Sequence, residues 1–302
     1  MNRYMRFLID SSYRFKVLEC RNWFNGYSDI KYLKKKYKLL FKKKMDLDNP
    51  QTFNEKLQWL KLYNRKPIYT TMVDKYEVKK YVADIIGEEY IIPTLGVWEK
   101  FEDIDFGELP NEFVLKTTHD SGGLIICRDK TSLDIKKVQK RIERSLTRNY
   151  YWYGREWPYK DVKPRIIAEK FMKDENFDVL NVYKIFNFNG KPKLIQVIQG
   201  DKTKSETIDY FDTEWNLLKL RQNYPNSASP LPKPQNLSLM LSLAKRLTEK
   251  ETPPFLRTDF YEINGEVYFS EFTFFSDSGF AKFNPPEWDD KLGKILVLPD
   301  ND

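Results

Sequence analysis

Two patterns of hydrophobic residues run along the chain. Much of the first third, the stretch 132–148 and a stretch that starts at Leu237 repeat hydrophobic residues at helical spacing. Short β-type runs lie at positions 113–116, 124–127, 165–169, 182–188, 192–199 and 257–273. Helices and strands are mixed without strict alternation, which predicts α+β lobes and argues against a doubly wound parallel sheet.

Local signals locate several helices. Thr52 and Glu55 have the spacing of a capping box, and Asp74 opens a second helical stretch. Five apolar residues at helical spacing predict a later amphipathic helix: Leu237, Met240, Leu241, Ala244 and Leu247.

An asparagine-glycine pair near the C-terminus predicts a β-hairpin. Asn264 and Gly265 join two β-type runs, of which the first contains Asp259 and the second Glu271. The two carboxylates therefore lie on neighbouring antiparallel strands, where they can share one hard cation such as Mg²⁺.

The length of the hairpin loop decides whether these carboxylates face the same side. A two-residue loop of Asn264 and Gly265 pairs Asp259 with Ser270 and turns Glu271 to the other face. A three-residue loop, or an equivalent bulge, brings both carboxylates to one face. A metal site needs the second register, and a surface hairpin with charges on its wet side is the alternative.

Composition adds a basic N-terminal segment. The 302 residues are 41% hydrophobic and 16% aromatic, as in a well-packed globular protein, and carry a net charge of +7. Lysine triplets at 34–36 and 42–44 lie near an apolar stripe of Leu33, Tyr37 and Leu40. This helix either packs its stripe on the main body or lies on an anionic membrane surface or another polyanion. No nucleic-acid-binding signature accompanies the charge, so we predict no nucleic-acid partner.

The cysteine and histidine content and the hydropathy of the chain narrow the class of protein. Cys20 and Cys127 lack metal-ligand spacing and are typical of a reduced compartment, and the single histidine, His119, excludes a multi-histidine metal site. No run reaches membrane-spanning length, and the first residues lack a signal-peptide core. We therefore expect a cytoplasmic protein, with peripheral contact at the inner face of the cell membrane left open.

A glycine-containing loop between two strand-like runs is suited to phosphate. Lys116 ends the first run, and Ser121, Gly122 and Gly123 precede the second. Glycine lets backbone N–H groups approach phosphate oxygens, and the lysine adds a positive charge. His119 in this loop can donate to phosphate or substrate if the loop closes as a flap; otherwise it is a surface residue.

A carboxylate ends another β-type run. Glu169 follows three apolar residues and precedes Lys170 and Phe171. It can accept a hydrogen bond from an adenine amino group while the following backbone groups complete the base contacts. A salt bridge at the strand end is the alternative.

Taken in their order along the chain, these motifs resemble those of the ATP-grasp superfamily. More specifically, they resemble the TupA-like (teichuronopeptide biosynthesis) ATP-grasp family of bacterial surface-polysaccharide biosynthesis. The resemblance covers about residues 48–298. It is carried by short segments at 49–60, 74–76, 113–116 with the Ser-Gly-Gly loop, 168–170, 183–190, 233–237, 257–261, 270–274 and 285–288. The ordered set is specific, although each segment alone is common.

For the nucleotide, the resemblance implies that Lys75 and Lys116 hold α- and β-phosphate oxygens beneath a flap of Gly122 and Gly123. The implied nucleotide-binding set is Lys75, Lys116, His119, Ser121, Gly122, Gly123, Glu169, Lys170, Phe171 and Lys184. Val182 stands where the family pattern has an aspartate, which leaves Lys184 as a contact to either nucleotide or substrate.

For catalysis, the resemblance implies that Asp259 and Glu271 ligate Mg²⁺, which neutralises charge as the γ-phosphoryl group moves. Arg257, together with Lys116, would stabilise that group. Thr273 stands where many ATP-grasp enzymes have asparagine, and a hydroxyl is a weaker ligand. Whether one or two magnesium ions bind is therefore left open.

The implied organisation has two α+β lobes that grip ATP. A basic helical extension covers residues 1–47 and a pre-ATP-grasp segment covers 48–110. A lobe with the glycine flap follows over 111–170, and a C-terminal lobe with the metal site occupies 171–302.

The implied activity is that of an ATP- and Mg²⁺-dependent carboxylate–amine ligase of capsule or O-antigen synthesis. It would work through an acyl phosphate and join an amino acid or amine to a uronic acid or another sugar acid. One alternative is a glycosyltransferase that holds a sugar-nucleotide metal with Asp103 and Asp105. Another is a non-catalytic nucleotide-binding partner of a polysaccharide assembly complex, docked through its basic N-terminus.

Overall fold

The computed structural model describes residues 3–300. The helices in this range are α1 (Arg3–Ile9), α2 (Ser11–Cys20), α3 (Asp29–Phe41), α4 (Phe53–Tyr63), α5 (Ile68–Val73), α6 (Glu77–Ile86), α7 (Ile135–Leu146), α8 (Leu237–Glu249) and α9 (Glu287–Ile295). The strands are β1 (Thr94–Trp98), β2 (Phe113–Thr117), β3 (Leu124–Cys127), β4 (Ile166–Lys170), β5 (Val182–Phe188), β6 (Lys191–Gln199), β7 (Thr207–Phe211), β8 (Phe255–Ile263) and β9 (Glu266–Thr273). Helices and antiparallel sheets confirm the predicted α+β class.

Strands β1 to β4 form a small antiparallel sheet in the order β1-β4-β2-β3. On β2, Phe113 and Leu115 are buried and share a core with Val138 and Ile142 of α7. Because side chains alternate along a strand, Lys116 points to the opposite face of this sheet. That face forms one wall of the cleft described below.

Strands β5 to β9 form a larger antiparallel sheet in the order β7-β6-β5-β8-β9. Helix α8 packs on one side of it. The buried face of α8 follows the predicted stripe, except that Leu243 takes the inner position and Leu241 is only half-buried. The opposite face of the sheet carries the charged residues of the site.

The N-terminal helices pack against the core of the larger sheet. Tyr32, Leu33 and Tyr37 of α3 are fully buried in that core, so the apolar stripe of this helix packs on the main body. Lying flat on a membrane through this stripe is thereby excluded. Lys42 ends α3 in the left-handed conformation (φ 60°), which places the second lysine triplet, 42–44, beyond the helix.

The predicted capping box begins α4. The Thr52 hydroxyl accepts a hydrogen bond from the Glu55 N–H at 3.2 Å, and the Glu55 carboxylate accepts one from the Thr52 N–H at 3.3 Å. Such a cap stabilises a helix by about 1 kcal/mol.

Two elements of the predicted segment 48–110 belong to different cores. Helix α4 joins the core of the larger sheet, whereas β1 pairs with β4 in the small sheet. The segment boundaries themselves stay a prediction. No helix among residues 3–300 is long and apolar enough to cross a bilayer.

Candidate active site

A β-bulge sets the register of the hairpin that carries the two predicted metal-binding carboxylates. The turn has two residues, Asn264 (φ 50°) and Gly265 (φ 84°), with the positive φ angles that such turns require. This turn alone would pair Asp259 with Ser270. Ser270, however, is the extra residue of a bulge, so that Asp259 pairs directly with Glu271. The three-residue loop is therefore wrong, and the equivalent bulge produces the register that a metal site needs.

Three neighbouring strands place a row of charged side chains on one face of the larger sheet. Lys184 of β5 pairs with Asp259 of β8, which pairs with Glu271 of β9. Directly paired residues on adjacent strands share a face, and the Lys184 Nζ lies 3.3 Å from Asp259 Oδ2. The predicted nucleotide contact Lys184 thus lies beside the predicted metal ligands.

Arg257 is held by the same row. Its Nε and Nη2 each donate to the Asp259 carboxylate at 2.7 Å, and Nη2 lies 3.7 Å from Glu271 Oε1. Burial opposes the charge of the guanidinium, but the Asp259 carboxylate outweighs it and raises the pKa of Arg257. Thr273 pairs with Arg257 across the hairpin. The four residues that the sequence assigned to metal binding and catalysis here therefore form one cluster.

Glu271 differs from Asp259 in its access to solvent. The Glu271 side chain is 42% exposed, whereas that of Asp259 is buried. Burial of the neighbourhood works to raise its pKa, but Lys75, Lys184 and Arg257 together hold the pKa of Glu271 below its ordinary value. Glu271 is therefore ionised at neutral pH and accessible to a cation.

Two lysines and a glutamate form the charged part of the opposite wall. Glu169 of β4 binds the Nζ of Lys116 at 2.5 Å and that of Lys79 at 2.7 Å. Burial opposes ionisation of Glu169, yet the two ammonium groups lower its pKa to about 2. For Lys116, the same burial favours the neutral form, but Glu169 prevails and raises the pKa of Lys116 to about 12. Glu169 and Lys116 are therefore charged at neutral pH. Burial lowers the pKa of Lys79, and the Glu169 carboxylate acts against that shift.

This geometry bears on the adenine-binding prediction. The Glu169 carboxylate forms the strand-end salt bridges that the sequence left as the alternative, and it also lines the cleft. Each carboxylate oxygen has lone pairs beyond the one that a lysine occupies, so ion pairing leaves capacity for an adenine amino group. The adenine role of Glu169 stays a prediction.

The loop between β2 and β3 is fastened to α7 by Asp120. The Asp120 carboxylate accepts hydrogen bonds from the hydroxyls of Thr117 and Ser145 and, at 3.2 Å, from the Gly123 N–H. A Cβ at Gly123 would collide with the Thr117 hydroxyl and lie 2.7 Å from Ser145 Oγ. Close packing is thus one reason for glycine at this position. The exposed tip of the loop, Ser121 and Gly122, is the part free to cover a ligand.

His119 faces away from the cleft. Its Nε2 lies 3.2 Å from the Ser145 carbonyl oxygen and 3.0 Å from that of Arg148, at the end of α7. The side chain is buried, so the surface alternative is wrong. A contact with phosphate would require these hydrogen bonds to break.

Lys75 lies between the loop and the carboxylate pair and lines the same cavity as Glu271. Its Nζ donates to the Asp120 carbonyl oxygen, and its backbone N–H donates to the Thr118 carbonyl at 3.1 Å. Burial lowers the pKa of Lys75, while Glu271 and Asp120 act against this shift. The ammonium group therefore lies where the two walls approach each other.

A cleft of about 550 Å³ lies between the two sheets and contains most of the predicted residues. It is lined by the predicted residues Lys75, Lys116, Ser121, Gly123, Glu169, Lys170, Phe171, Lys184, Asp259 and Glu271. Gly122, His119, Arg257 and Thr273 do not line it directly. Arg257 nevertheless contacts Asp259 and Glu271, which do line it, and Thr273 pairs with Arg257.

The cleft has an apolar part and a charged part. Hydrophobic side chains that line it include Ile126, Phe171, Met172, Leu180 and Val182. The lysines and carboxylates of the two walls line the remainder. A nucleotide has two matching parts: a planar base that suits apolar side chains, and a polyanionic phosphate chain that suits lysines.

The carboxylates also suit magnesium. Among residues 3–300, no cluster of three or more His, Cys, Asp or Glu side chains is arranged to hold a metal. Mg²⁺ is commonly bound through one or two carboxylates, with waters and substrate phosphates as the other ligands. Asp259 and Glu271 offer two such carboxylates. Both oxygens of the buried Asp259 already accept hydrogen bonds from Arg257, so Glu271 is the more accessible ligand.

The aspartates of the glycosyltransferase alternative lie elsewhere. Asp103 and Asp105 are exposed, and Asp105 accepts a hydrogen bond from the Gly107 N–H at 2.7 Å. Neither lines the cleft. They form the solvated turn expected of an acidic loop.

Sequence reasoning missed two residues of the site, Lys79 and Asp120. Lys79 contacts Glu169, while the adjacent Lys80 is exposed and pairs with Asp84, and no pattern distinguishes the two lysines. The position of Asp120 could have been predicted, because an aspartate three residues after Thr117 can form local hydrogen bonds that shape a turn.

A strand lysine, a short glycine loop and paired carboxylates on an antiparallel hairpin, facing one another across a cleft, define an ATP-grasp protein. A model of the family described as TupA-like ATPgrasp matches residues 55–297, so this chain belongs to the TupA-like ATP-grasp family. No curated protein matches the chain.

Several solved structures share part of the architecture. D-alanine–D-alanine ligase from Bacillus anthracis, solved with ATP, is 19% identical over 67% of this chain and 53% of its own, with a TM-score of 0.40. A RimK domain ATP-grasp protein from Sphaerobacter thermophilus is 12% identical over 78% of this chain and 70% of its own, with a TM-score of 0.41. L-amino acid ligase from Bacillus licheniformis is 12% identical over 75% and 47%, with a TM-score of 0.42. The chain thus spans about half the length of the first and third of these proteins.

Proposed function

We propose that this protein is an ATP- and Mg²⁺-dependent ligase that joins a carboxylate to an amine through an acyl phosphate. The observation that carries the proposal is the convergence of Lys75, Lys116, Lys184 and the Asp259–Glu271 pair on one cleft. Cations from both walls face the carboxylates, as binding a metal–triphosphate requires.

Each part of the cleft has its own task. The apolar side chains beside Phe171 hold the base, with Glu169 and the backbone after it as hydrogen-bonding partners. Lys75 and Lys116 neutralise phosphate oxygens, and the loop tip at Ser121 and Gly122 excludes water from them. Cations fixed in advance by their contacts stabilise charge without reorganisation during the reaction.

The hairpin positions the transferred group. Asp259 orients the Arg257 guanidinium through two hydrogen bonds of 2.7 Å, so the cation is fixed before substrate binds. Asp259 and Glu271, with Thr273 beside them, would hold magnesium. When bound, Mg²⁺ supplies charge neutralisation to the phosphates, and ATP supplies the phosphoryl group that converts a carboxylate into a good acyl donor.

The biological setting is part of the same proposal and is supported by the family resemblance. We assign the activity to capsule, O-antigen or other surface-polysaccharide biosynthesis in bacteria, with a uronic acid or other sugar acid as carboxylate and an amino acid or amine as co-substrate. The protein would act in the cytoplasm, at the inner face of the cell membrane. No observation on the cleft favours the glycosyltransferase alternative.

The first experiment measures thermal stabilisation by nucleotides. ATP, ADP and sugar nucleotides are each added with and without Mg²⁺, and a ligand at a hundred times its Kd stabilises by about 2.7 kcal/mol. We expect the largest shift with ATP and Mg²⁺. In Glu271→Gln the magnesium-dependent part of the shift should disappear, while Glu266→Gln, on the exposed end of the same strand, should behave as wild type.

The second experiment tests the chemistry. Glucuronic acid is incubated with ATP, Mg²⁺ and hydroxylamine, which traps an acyl phosphate as a hydroxamate. ADP and hydroxamate in equal amounts support the ligase. Nucleotide binding without ADP release from any of a set of carboxylates would instead indicate the non-catalytic partner, and a preference for sugar nucleotides would indicate a transferase.

A further inference from the structure

Helix α1 presents hydrophobic residues to solvent. None of its residues is buried, although five of the seven are apolar or aromatic. Leu8 is 60% exposed and Ile9 is 66% exposed, and Tyr4 and Met5 are exposed beside them. These four side chains form an exposed apolar cluster, and a cluster of this kind marks an interaction surface.

The N-terminal segment that contains this cluster is strongly basic. Residues 3–44 contain thirteen Lys and Arg and only three Asp and Glu, a net charge of +10 against +7 for the whole chain. The three acids have internal partners. Asp10 caps α2, Glu19 pairs with Lys36 at 2.9 Å, and Asp29 pairs with Arg65 at 2.8 Å. The exposed surface of this segment is therefore cationic.

The cluster is joined firmly to the main body. Arg14 of α2 donates to the Leu8 carbonyl oxygen at 2.8 Å, which ties the end of α1 to α2. Phe15 of α2 stacks on Phe24 with ring centroids 4.5 Å apart, and Phe24 packs against Tyr32 of the buried α3 stripe. A membrane that bound α1 would thus hold the whole protein.

We propose that α1 forms a docking surface for an anionic phospholipid membrane. Its apolar side chains enter the boundary between headgroups and acyl chains, and basic residues of the segment such as Arg3 contact lipid phosphates. Charge complementarity selects this partner, because apolar insertion and cationic attraction together give the two signals that peripheral binding needs. The proposal does not depend on the ligase activity.

Vesicle co-sedimentation tests this surface on the 302-residue chain. Vesicles of phosphatidylcholine alone are compared with vesicles of equal parts phosphatidylcholine and phosphatidylglycerol, at low and high salt. We expect binding to the mixed vesicles, little binding to phosphatidylcholine, and weakening by salt. Leu8→Asp with Ile9→Asp should lower the partition coefficient at least about tenfold, because two apolar side chains are lost from the interface.

The matched control is Leu217→Asp with Val297→Asp. It replaces two comparably exposed apolar residues elsewhere and makes the same change in charge. All the replaced side chains are exposed, so thermal midpoints and nucleotide-induced shifts should match those of wild type. Equal loss of vesicle binding in both variants would show a general charge effect and would overturn the proposal. So would concentration-dependent dimerisation that the α1 variant abolishes without any vesicle binding by wild type, since a second copy would then cover the cluster.

Discussion

Replacing Glu169 by glutamine tests the electrostatics of the cleft most sharply. The Glu169 side chain is almost fully buried and neutralises two half-buried lysines, Lys79 and Lys116. Glutamine keeps the shape but leaves both cations without their counter-charge. The variant should therefore be less stable than wild type at neutral pH.

The expected loss of stability follows from the pKa shift of Glu169 and from the typical cost of breaking a buried ion pair. The pKa of Glu169 falls from its ordinary value of 4.5 to about 2, and a difference of that size corresponds to about 3 kcal/mol of folding free energy. Breaking a buried ion pair by removing one partner typically costs about 3–5 kcal/mol. We expect Glu169→Gln to lose about 3 kcal/mol.

The direction of the pKa shift determines how the stabilisation by Glu169 changes with pH. Because the folded-state pKa lies below the unfolded one, the contribution of Glu169 is fully present above about pH 4.5 and is lost as the pH falls towards about 2. The stability difference between wild type and variant, measured by urea unfolding, should therefore shrink over that range. The control is Glu249→Gln, whose exposed pair with Lys245 at 3.7 Å should contribute at most about 1 kcal/mol. A wild-type stability in Glu169→Gln, or a difference that stays constant through acid titration, would refute the charged triad.

Two further predictions concern packing and a buried charge. Gly123→Ala should destabilise the protein by about 1–3 kcal/mol, because the new methyl group meets the Thr117 hydroxyl in a closely packed loop; an unchanged thermal midpoint would contradict this. Lys61 is fully buried, and burial lowers its pKa to about 7 from 10.5. The stability of wild type relative to Lys61→Met should therefore rise between about pH 7 and about pH 10.5. A flat difference in denaturant unfolding across that range would show that Lys61 stays protonated.

The sequence predicted the class of fold and the strands that carry the site, because those features are local. Short β-type runs, such as the buried apolar run of β4, are enough to assign strands, and the asparagine-glycine turn is a strong short-range signal. The bulge at Ser270 could not be assigned in advance. It depends on cross-strand packing between β8 and β9, and no residue type specifies it.

Long-range contacts were the other limit. The sequence left Glu169 as either an adenine ligand or a salt bridge, because its partners Lys79 and Lys116 come from α6 and β2, far apart in the chain. Whether the basic N-terminal segment packs on the main body or exposes an apolar face also depends on long-range packing. The stripe on α3 is buried in the core, and exposed apolar side chains appear on α1 instead.

The most direct test of the central claim is a crystal structure with Mg²⁺ and a non-hydrolysable ATP analogue. We predict the base among the apolar side chains beside Phe171, the phosphates against Lys75 and Lys116, and the metal on Glu271 and Asp259. A nucleotide bound outside the cleft between the two sheets, or a metal that contacts neither carboxylate, would contradict the account.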